Sequence, residues 1–165
     1  MSFSIISNYK FNNLTDISPE FIKGLDISFL MIDLDNTIAA YDEHAPTVEI
    51  LEWFEMIKSS GIIPFMISNT TRTTRVENFA KALNVEYIMR ACKPSARSLI
   101  KAMEISNNKP SQSALIGDQV FTDVLAANRA KVVAILIKPK SFTNIFLRLR
   151  YYIEVPFRLL SEKTS

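Results

Sequence analysis

Asp33 and Asp35 stand one residue apart at the end of the apolar run Phe29-Leu30-Met31-Ile32. A short apolar run bounded by turn-forming residues reads as a strand covered on both faces. Alternation along a strand points the two carboxylates the same way. Like charges that close repel each other, and a divalent cation with oxygen ligands offsets the repulsion. An ordinary Asp-Asn turn accounts for the pair equally well on its own. Chemistry-bearing residues then recur at the ends of later apolar runs. Ser68 and Asn69 follow 62–67, Lys93 follows 87–89, and Asp118 and Asp123 follow 114–116. Several carboxylates and one lysine suit a divalent metal together with an anion. Asp33 and Asp118 fit Mg²⁺, which takes oxygen ligands. Lys93 supplies further positive charge, and Ser68 and Asn69 offer hydrogen bonds to phosphate oxygens. The reaction that uses a carboxylate nucleophile, a second carboxylate and a metal is phosphoryl transfer through an aspartyl-phosphate. The chain lacks the Gly-x-x-x-x-Gly-Lys-Ser/Thr pattern of a nucleotide-binding P-loop.

The elements that must position these residues alternate in type. Strands are expected at 29–33, 62–67, 87–89, 114–116 and 132–137. Helical faces lie between them: Ile50, Leu51, Phe54 and Ile57; Val76, Phe79, Ala80 and Leu83; Ala96, Leu99, Ile100 and Met103; then Val124 and Leu125. Strand and helix in alternation mean βαβ units, a mainly parallel sheet and helices on both faces, a three-layer Rossmann-like α/β fold. Ligands in such folds sit beyond the carboxyl ends of the strands, where these polar residues fall. Pro64 inside its strand marks a position where one ladder bond is dispensable. Ser18-Pro19 reads as a helix start and Gly24 as its stop. We divide the chain into a lead-in at 1–27 packed on the domain, a core at 28–140 and a basic amphipathic helical tail at 141–165.

With 165 residues, 48% of them hydrophobic and 22% charged, the chain supports one globular core. A net charge of +2 gives no basis for a nucleic-acid partner. The single cysteine, Cys92, forms no internal disulfide and suits a reducing compartment. No signal-peptide pattern and no membrane-length apolar run are expected, so the reading is cytoplasmic.

Asp33-Leu34-Asp35-Asn36-Thr37, Ile67-Ser68-Asn69, Lys93-Pro94 and Gly117-Asp118-Gln119-Val120-Phe121-Thr122-Asp123 resemble, in order, the four motifs of the haloacid dehalogenase (HAD) phosphatases. Within that superfamily the last motif resembles the YqeG-type group of subclass IIIA, relatives of the mitochondrial phosphatidylglycerophosphate phosphatase. The resemblance covers residues 14–140. It implies that Asp33 is the nucleophile and a Mg²⁺ ligand. It implies that Asp35 is the general acid and base, with its backbone carbonyl on Mg²⁺. Ser68 and Asn69 would bind the phosphoryl group, and Lys93 would steady its charge. Asp118 would complete the metal shell, Asp123 would support it, and Thr37 would brace the nucleophile loop. Thr70 stands where the group has a second Asn, and Cys92 where it has a small residue.

No cap domain fits between Thr37 and Thr47 or between Ser68 and Lys93. The site is therefore expected to be open, suiting a large or surface-held substrate, or one enclosed by a neighbouring subunit. The resemblance points to phosphatidylglycerophosphate and hence to phospholipid synthesis. The alternatives are a phosphatase for small soluble phosphates and a non-enzymatic receiver or binding module. Cys92 reads as a packing residue and His44 as a solvated loop residue. Trp53 reads as helix packing, and Arg72, Arg75 and Arg90 as solvated. In the tail, Phe142, Ile145, Phe146, Leu149 and Ile153 share a stripe flanked by Arg148 and Arg150. Leu147 and Tyr151 lie opposite, Pro156 is expected to break the helix, and Lys138, Lys140, Arg158 and Lys163 add charge. Such a stripe packs on the sheet edge or lies in a membrane interface as a peripheral contact.

Overall fold

Six parallel strands form one sheet at the centre of the molecule, seen here in a computed structural model that describes residues 4–142 and 145–161. The side chains of Phe146 and Leu147, and Lys163, fall outside that description. The strands are β1 (Tyr9–Phe11), β2 (Phe29–Ile32), β3 (Ile63–Ile67), β4 (Glu86–Ile88), β5 (Ser113–Gly117) and β6 (Val133–Ile137), in the order β1-β6-β5-β2-β3-β4. The last five are the strands expected from the sequence. β1 arises from the lead-in and was not expected, because its three residues are only half-buried and show no apolar run. It adds to the sheet edge with Tyr9 opposite Ile135.

Period-two alternation sorts the strand residues between two cores. Leu30 and Ile32 face one side with Met66, Ile116 and Ile135, under α1 (Pro19–Gly24), α2 (Val48–Ser59) and α3 (Thr73–Leu83). Phe29 and Met31 face the other with Phe65, Ile67, Leu115 and Leu136, under α4 (Arg97–Ile105) and α5 (Leu125–Ala130). Ser18 caps α1 by accepting from the Phe21 amide at 3.2 Å. Trp53 is buried on α2 and donates to the Ile17 carbonyl at 2.8 Å, fixing the lead-in to the core. Pro64 sits opposite Leu30, one residue before β3 begins to pair with β4, so its missing N–H leaves no ladder bond unmade.

Register aligns the strand ends. Ile32 lies between Met66 and Ile116. The chain therefore leaves β2, β3 and β5 at one level, with Asp33, Ser68 and Asp118 side by side. No inserted domain covers this rim among the described residues.

A sixth helix, α6 (Ile145–Leu160), returns across the end of β5. It runs through Pro156, contrary to the expected break. Pro156 lies on the exposed side of α6, where water can satisfy the carbonyl that the missing N–H frees. The helix does not pack its apolar stripe on the sheet edge: Ile145, Leu149 and Ile153 are exposed, with Tyr152, Leu159 and Leu160. Among its described side chains the buried ones are instead Glu154 and Arg158, with Ser161 just past the helix end.

Candidate active site

Three buried carboxylates converge at the rim: Asp33, Asp118 and Asp123 bring oxygens within 4.8 Å of one another. The Lys93 ammonium reaches Asp33 Oδ1 at 2.5 Å and Asp123 Oδ1 at 2.6 Å, and donates to the Ile67 carbonyl at 3.1 Å. One cation among three anions leaves a net negative, desolvated pocket. Burial, with the neighbouring Asp123 charge, pushes Asp33 up to about 7 although Lys93 opposes the rise. Burial drives Asp118 upward as well, with Asp123 and Asp33 adding to it and Arg158 and Arg150 opposing. Burial works against the charged form of Lys93, but Asp123 and Asp33 outweigh it and raise its pKa.

Asp118 Oδ1 is buried and has no hydrogen-bond partner. An ionised oxygen without a donor is costly in a dry site. A hard divalent cation beside it would remove that cost, and every converging donor is a carboxylate oxygen, the type Mg²⁺ takes. The residues present fit such an ion.

Local sequence explains how the carboxylates come so close. Gly117 is required: a Cβ there would lie 2.3 Å from Asp123 Cγ. The Asp123 carboxylate also accepts from the Gln119 amide at 3.1 Å, closing the loop on itself. Asn36 adopts φ 65°, which Asn tolerates, and turns the chain after Asp35. Thr37 is fully buried beneath this turn.

The carboxylates of Asp33 and Asp35 take different cationic side chains. The ladder ends after Asp33, whose amide still bonds the Ile116 carbonyl at 2.9 Å, and Asp35 lies apart from the converging carboxylates. Its partner is Arg75 on α3, with Nε 3.2 Å from Asp35 Oδ1. Arg75 is buried, contrary to its expected solvated role. Its guanidinium also donates to the Ala40 carbonyl at 2.7 Å and to the Glu43 carbonyl, and it stacks 4.9 Å over Phe79. A signal existed: Arg75 shares the four-residue spacing of Phe79 and Leu83 on the buried face of α3.

Ser68 is buried at the rim, and its hydroxyl accepts from the Thr70 amide at 3.1 Å, leaving its proton to donate. Asn69 is differently engaged. Its amide bonds the Lys93 carbonyl at 2.9 Å and accepts from the Lys93 N–H at 2.8 Å. That double bond fixes the lysine loop. Cys92 is exposed and does not pack; its thiol donates to the Arg90 carbonyl at 3.3 Å. His44 is exposed. Tyr41, which belongs to no motif, lies in the field of three of the four site aspartates. Burial, then the charges of Asp118, Asp35 and Asp33, push its hydroxyl up to about 12.

A parallel α/β sheet with carboxylates, serine and lysine beyond four adjacent strand ends defines a HAD-type phosphatase. The chain belongs to the haloacid dehalogenase-like hydrolase family, whose model matches residues 6–131. It is 34% identical over 149 residues to the probable phosphatase YqeG of Bacillus subtilis, covering 90% of this chain and 86% of that one. Its fold is similar to two solved 3-deoxy-D-manno-octulosonate 8-phosphate phosphatases. One, from Moraxella catarrhalis in complex with magnesium, phosphate and KDO, has a TM-score of 0.55 at 18% identity, over 86% of this chain and 95% of that one. The cobalt-bound enzyme from Haemophilus influenzae has a TM-score of 0.56 at 16% identity, over 78% and 77%. No described helix is long and apolar enough to cross a membrane.

Proposed function

We propose that this phosphatase is Mg²⁺-dependent, works through an aspartyl-phosphate on Asp33, and acts on a phospholipid headgroup phosphate, phosphatidylglycerophosphate being the first candidate. The observation that carries the chemistry is Lys93 held between Asp33 and Asp123 beside the unpartnered Asp118 oxygen. Asp33 and Asp118, with the Asp35 backbone carbonyl, would hold the ion. When bound, it would neutralise charge on the phosphoryl oxygens and keep Asp33 ionised. Lys93 fixes one oxygen of Asp33 and leaves the other to attack phosphorus. As that P–O bond forms, the ester P–O bond breaks, and Asp35 gives its proton to the departing alkoxide. Asp35 then takes a proton from water, whose oxygen attacks the phosphoryl-aspartate and releases inorganic phosphate. Ser68 donates to a phosphoryl oxygen, and Lys93 balances its charge. Asn69 serves by fixing Lys93, and Asp123 by holding the ammonium from its other side. Residues 28–140 carry this chemistry in our division, with 1–27 packed on it.

Two features support the lipid as substrate. The rim has no cap. The outward stripe of α6 is apolar, and Arg148 beside it is exposed, as are Lys138 and Lys140 on the approach. A basic, apolar helix face suits an anionic lipid surface, which supports a peripheral contact with the membrane.

The test is phosphate release from phosphatidylglycerophosphate in mixed micelles, with and without Mg²⁺, beside glycerol 3-phosphate and an aryl phosphate. We expect Mg²⁺-dependent release from the lipid, abolished by Asp33→Asn. Turnover of the soluble esters alone would retain the chemistry and discard the lipid.

A further inference from the structure

An amphipathic helix that served only to cover the domain would bury its apolar side. α6 does the reverse. Its inward residues, Glu154 and Arg158, are 1% and 4% exposed. Burying an Arg–Glu pair is costly unless the remaining donors and acceptors are satisfied. Here both Arg158 Nη atoms are directed to Glu154 and to the backbone beside the site, and only Nε is without a hydrogen-bond partner. Arg158 Nη2 donates to the Asp118 carbonyl and to Glu154 Oε2 at 3.1 Å. Arg158 Nη1 donates to the Ile137 carbonyl at 3.2 Å, at the end of β6. Glu154 Oε1 accepts from the Phe121 amide at 3.5 Å, on the far side of the same loop. The pair thus grips the segment Asp118–Phe121 at both ends.

The approach to α6 is fastened to the other aspartate loop. Asn36 Nδ2 donates to the Ser141 carbonyl, and the Ser141 hydroxyl donates to Asn36 Oδ1, each at 3.1 Å. The Lys140 amide donates to the Asn36 carbonyl, also at 3.1 Å. The C-terminal segment is therefore a strap joining the loop that bears Asp33 and Asp35 to the loop that bears Asp118. Phe121 against Phe157, with centroids 5.6 Å apart, is an apolar contact beneath the grip.

We propose that Glu154 and Arg158 are positioning residues of the metal site: by clamping the Asp118–Phe121 backbone they aim the Asp118 carboxylate at the ion. The proposal rests on the reading that Asp33 and Asp118 hold a divalent cation. Groups that orient a metal ligand from outside its shell govern affinity as well as geometry. Binding and strap are also linked reciprocally: a clamp that favours the ion must itself be tightened by the ion.

The experiment measures ion binding directly on the full chain, with Mg²⁺ by calorimetry and Mn²⁺ as a spin probe. Arg158→Gln leaves Glu154 buried without its partner and risks unfolding. The decisive variant is therefore Glu154→Gln with Arg158→Met, which removes both charges and strands neither. We expect this folded double variant to bind Mn²⁺ about 10–100-fold more weakly than wild type. Arg158→Lys should recover only part of the loss, because a single ammonium cannot span three acceptors held by a planar fork. Glu104→Gln, on an exposed position of α4, should bind as wild type. In the wild-type chain, saturating Mg²⁺ should slow amide exchange over 157–161.

A folded double variant that binds within about twofold of wild type overturns the proposal and leaves the cofactor reading standing, 1.4 kcal/mol being the tenfold step that separates the two. Exchange over 157–161 that is the same with and without Mg²⁺ overturns it too, even if every α6 variant unfolds. A wild-type chain that binds neither ion overturns the cofactor reading, and the proposal with it.

Discussion

α2 and α6 are both exposed on one side and buried on the other, yet they are held by opposite chemistries. α2 buries Ile50, Trp53, Phe54 and Ile57 against the sheet. Among its described side chains α6 buries Glu154 and Arg158, and turns Ile145, Leu149, Tyr152 and Ile153 to solvent. The first helix is held by area removed from water, a large and non-directional effect. The second is held by directional bonds to the carbonyls of Asp118 and Ile137. The difference separates two tasks. α2 fixes the fold, and α6 fixes one loop of the site.

Replacing Trp53 by Ala should strike the first kind of helix hardest. It removes a fully buried ring and its bond to the Ile17 carbonyl. We expect the unfolding free energy in urea to fall by about 3–5 kcal/mol. The double variant at Glu154 and Arg158 should invert that pattern, with near-normal unfolding and impaired ion binding. Equal losses of stability in the two would erase the comparison.

The carboxylate cluster carries its own pH signature in the metal-free chain. Burial raises Asp33 in the folded state from 3.8 to about 7. Between those values the folded chain binds more protons than the unfolded one, so stability falls as pH rises. Thermal melts without metal should show a falling melting temperature from about pH 4 to about pH 7, and Mg²⁺ should offset the fall at the upper end. A melting temperature that rises over that window would contradict the buried cluster.

The comparison extends to the two buried arginines. Arg158 serves the ion ligand Asp118, whereas Arg75 serves Asp35 and the loop at Ala40 and Glu43. Arg75→Met should therefore lower kcat by about tenfold to a hundredfold, the scale of a misplaced catalytic group. Direct Mn²⁺ binding should stay close to wild type. A loss of ion affinity as large as in the α6 variant would merge the two roles.

The smallest effect on stability should come from the outer face of α6. Leu149→Ser with Ile153→Ser changes side chains already in water, so unfolding should shift by no more than about 0.5 kcal/mol. Co-sedimentation with vesicles containing anionic lipid should nevertheless fall. Unchanged co-sedimentation would remove the stripe as a membrane contact.

The sequence by itself determined the strands that bear the site and the order in which they bring its groups together. Apolar runs ending in Asp33, Ser68, Lys93 and Asp118 needed only alternation and parallel pairing to place those residues on one rim, and the register of β2 with β3 and β5 does so. β1 was illegible because a half-buried three-residue edge strand has too little apolar pattern to stand out. The partners of the aspartates were illegible for another reason. Asp33 and Asp35 read as one charged pair, and nothing in their spacing tells that the turn at Asn36 gives their carboxylates different side-chain partners, Lys93 and Arg75. Arginine in a helix is solvated by default, and only packing reveals where a buried carbonyl or carboxylate needs its donors. The orientation of α6 depended on the same need. Its sequence offers an apolar face and a charged face, and the carbonyls of Asp118 and Ile137, assembled only in the folded chain, drew the charged one inward.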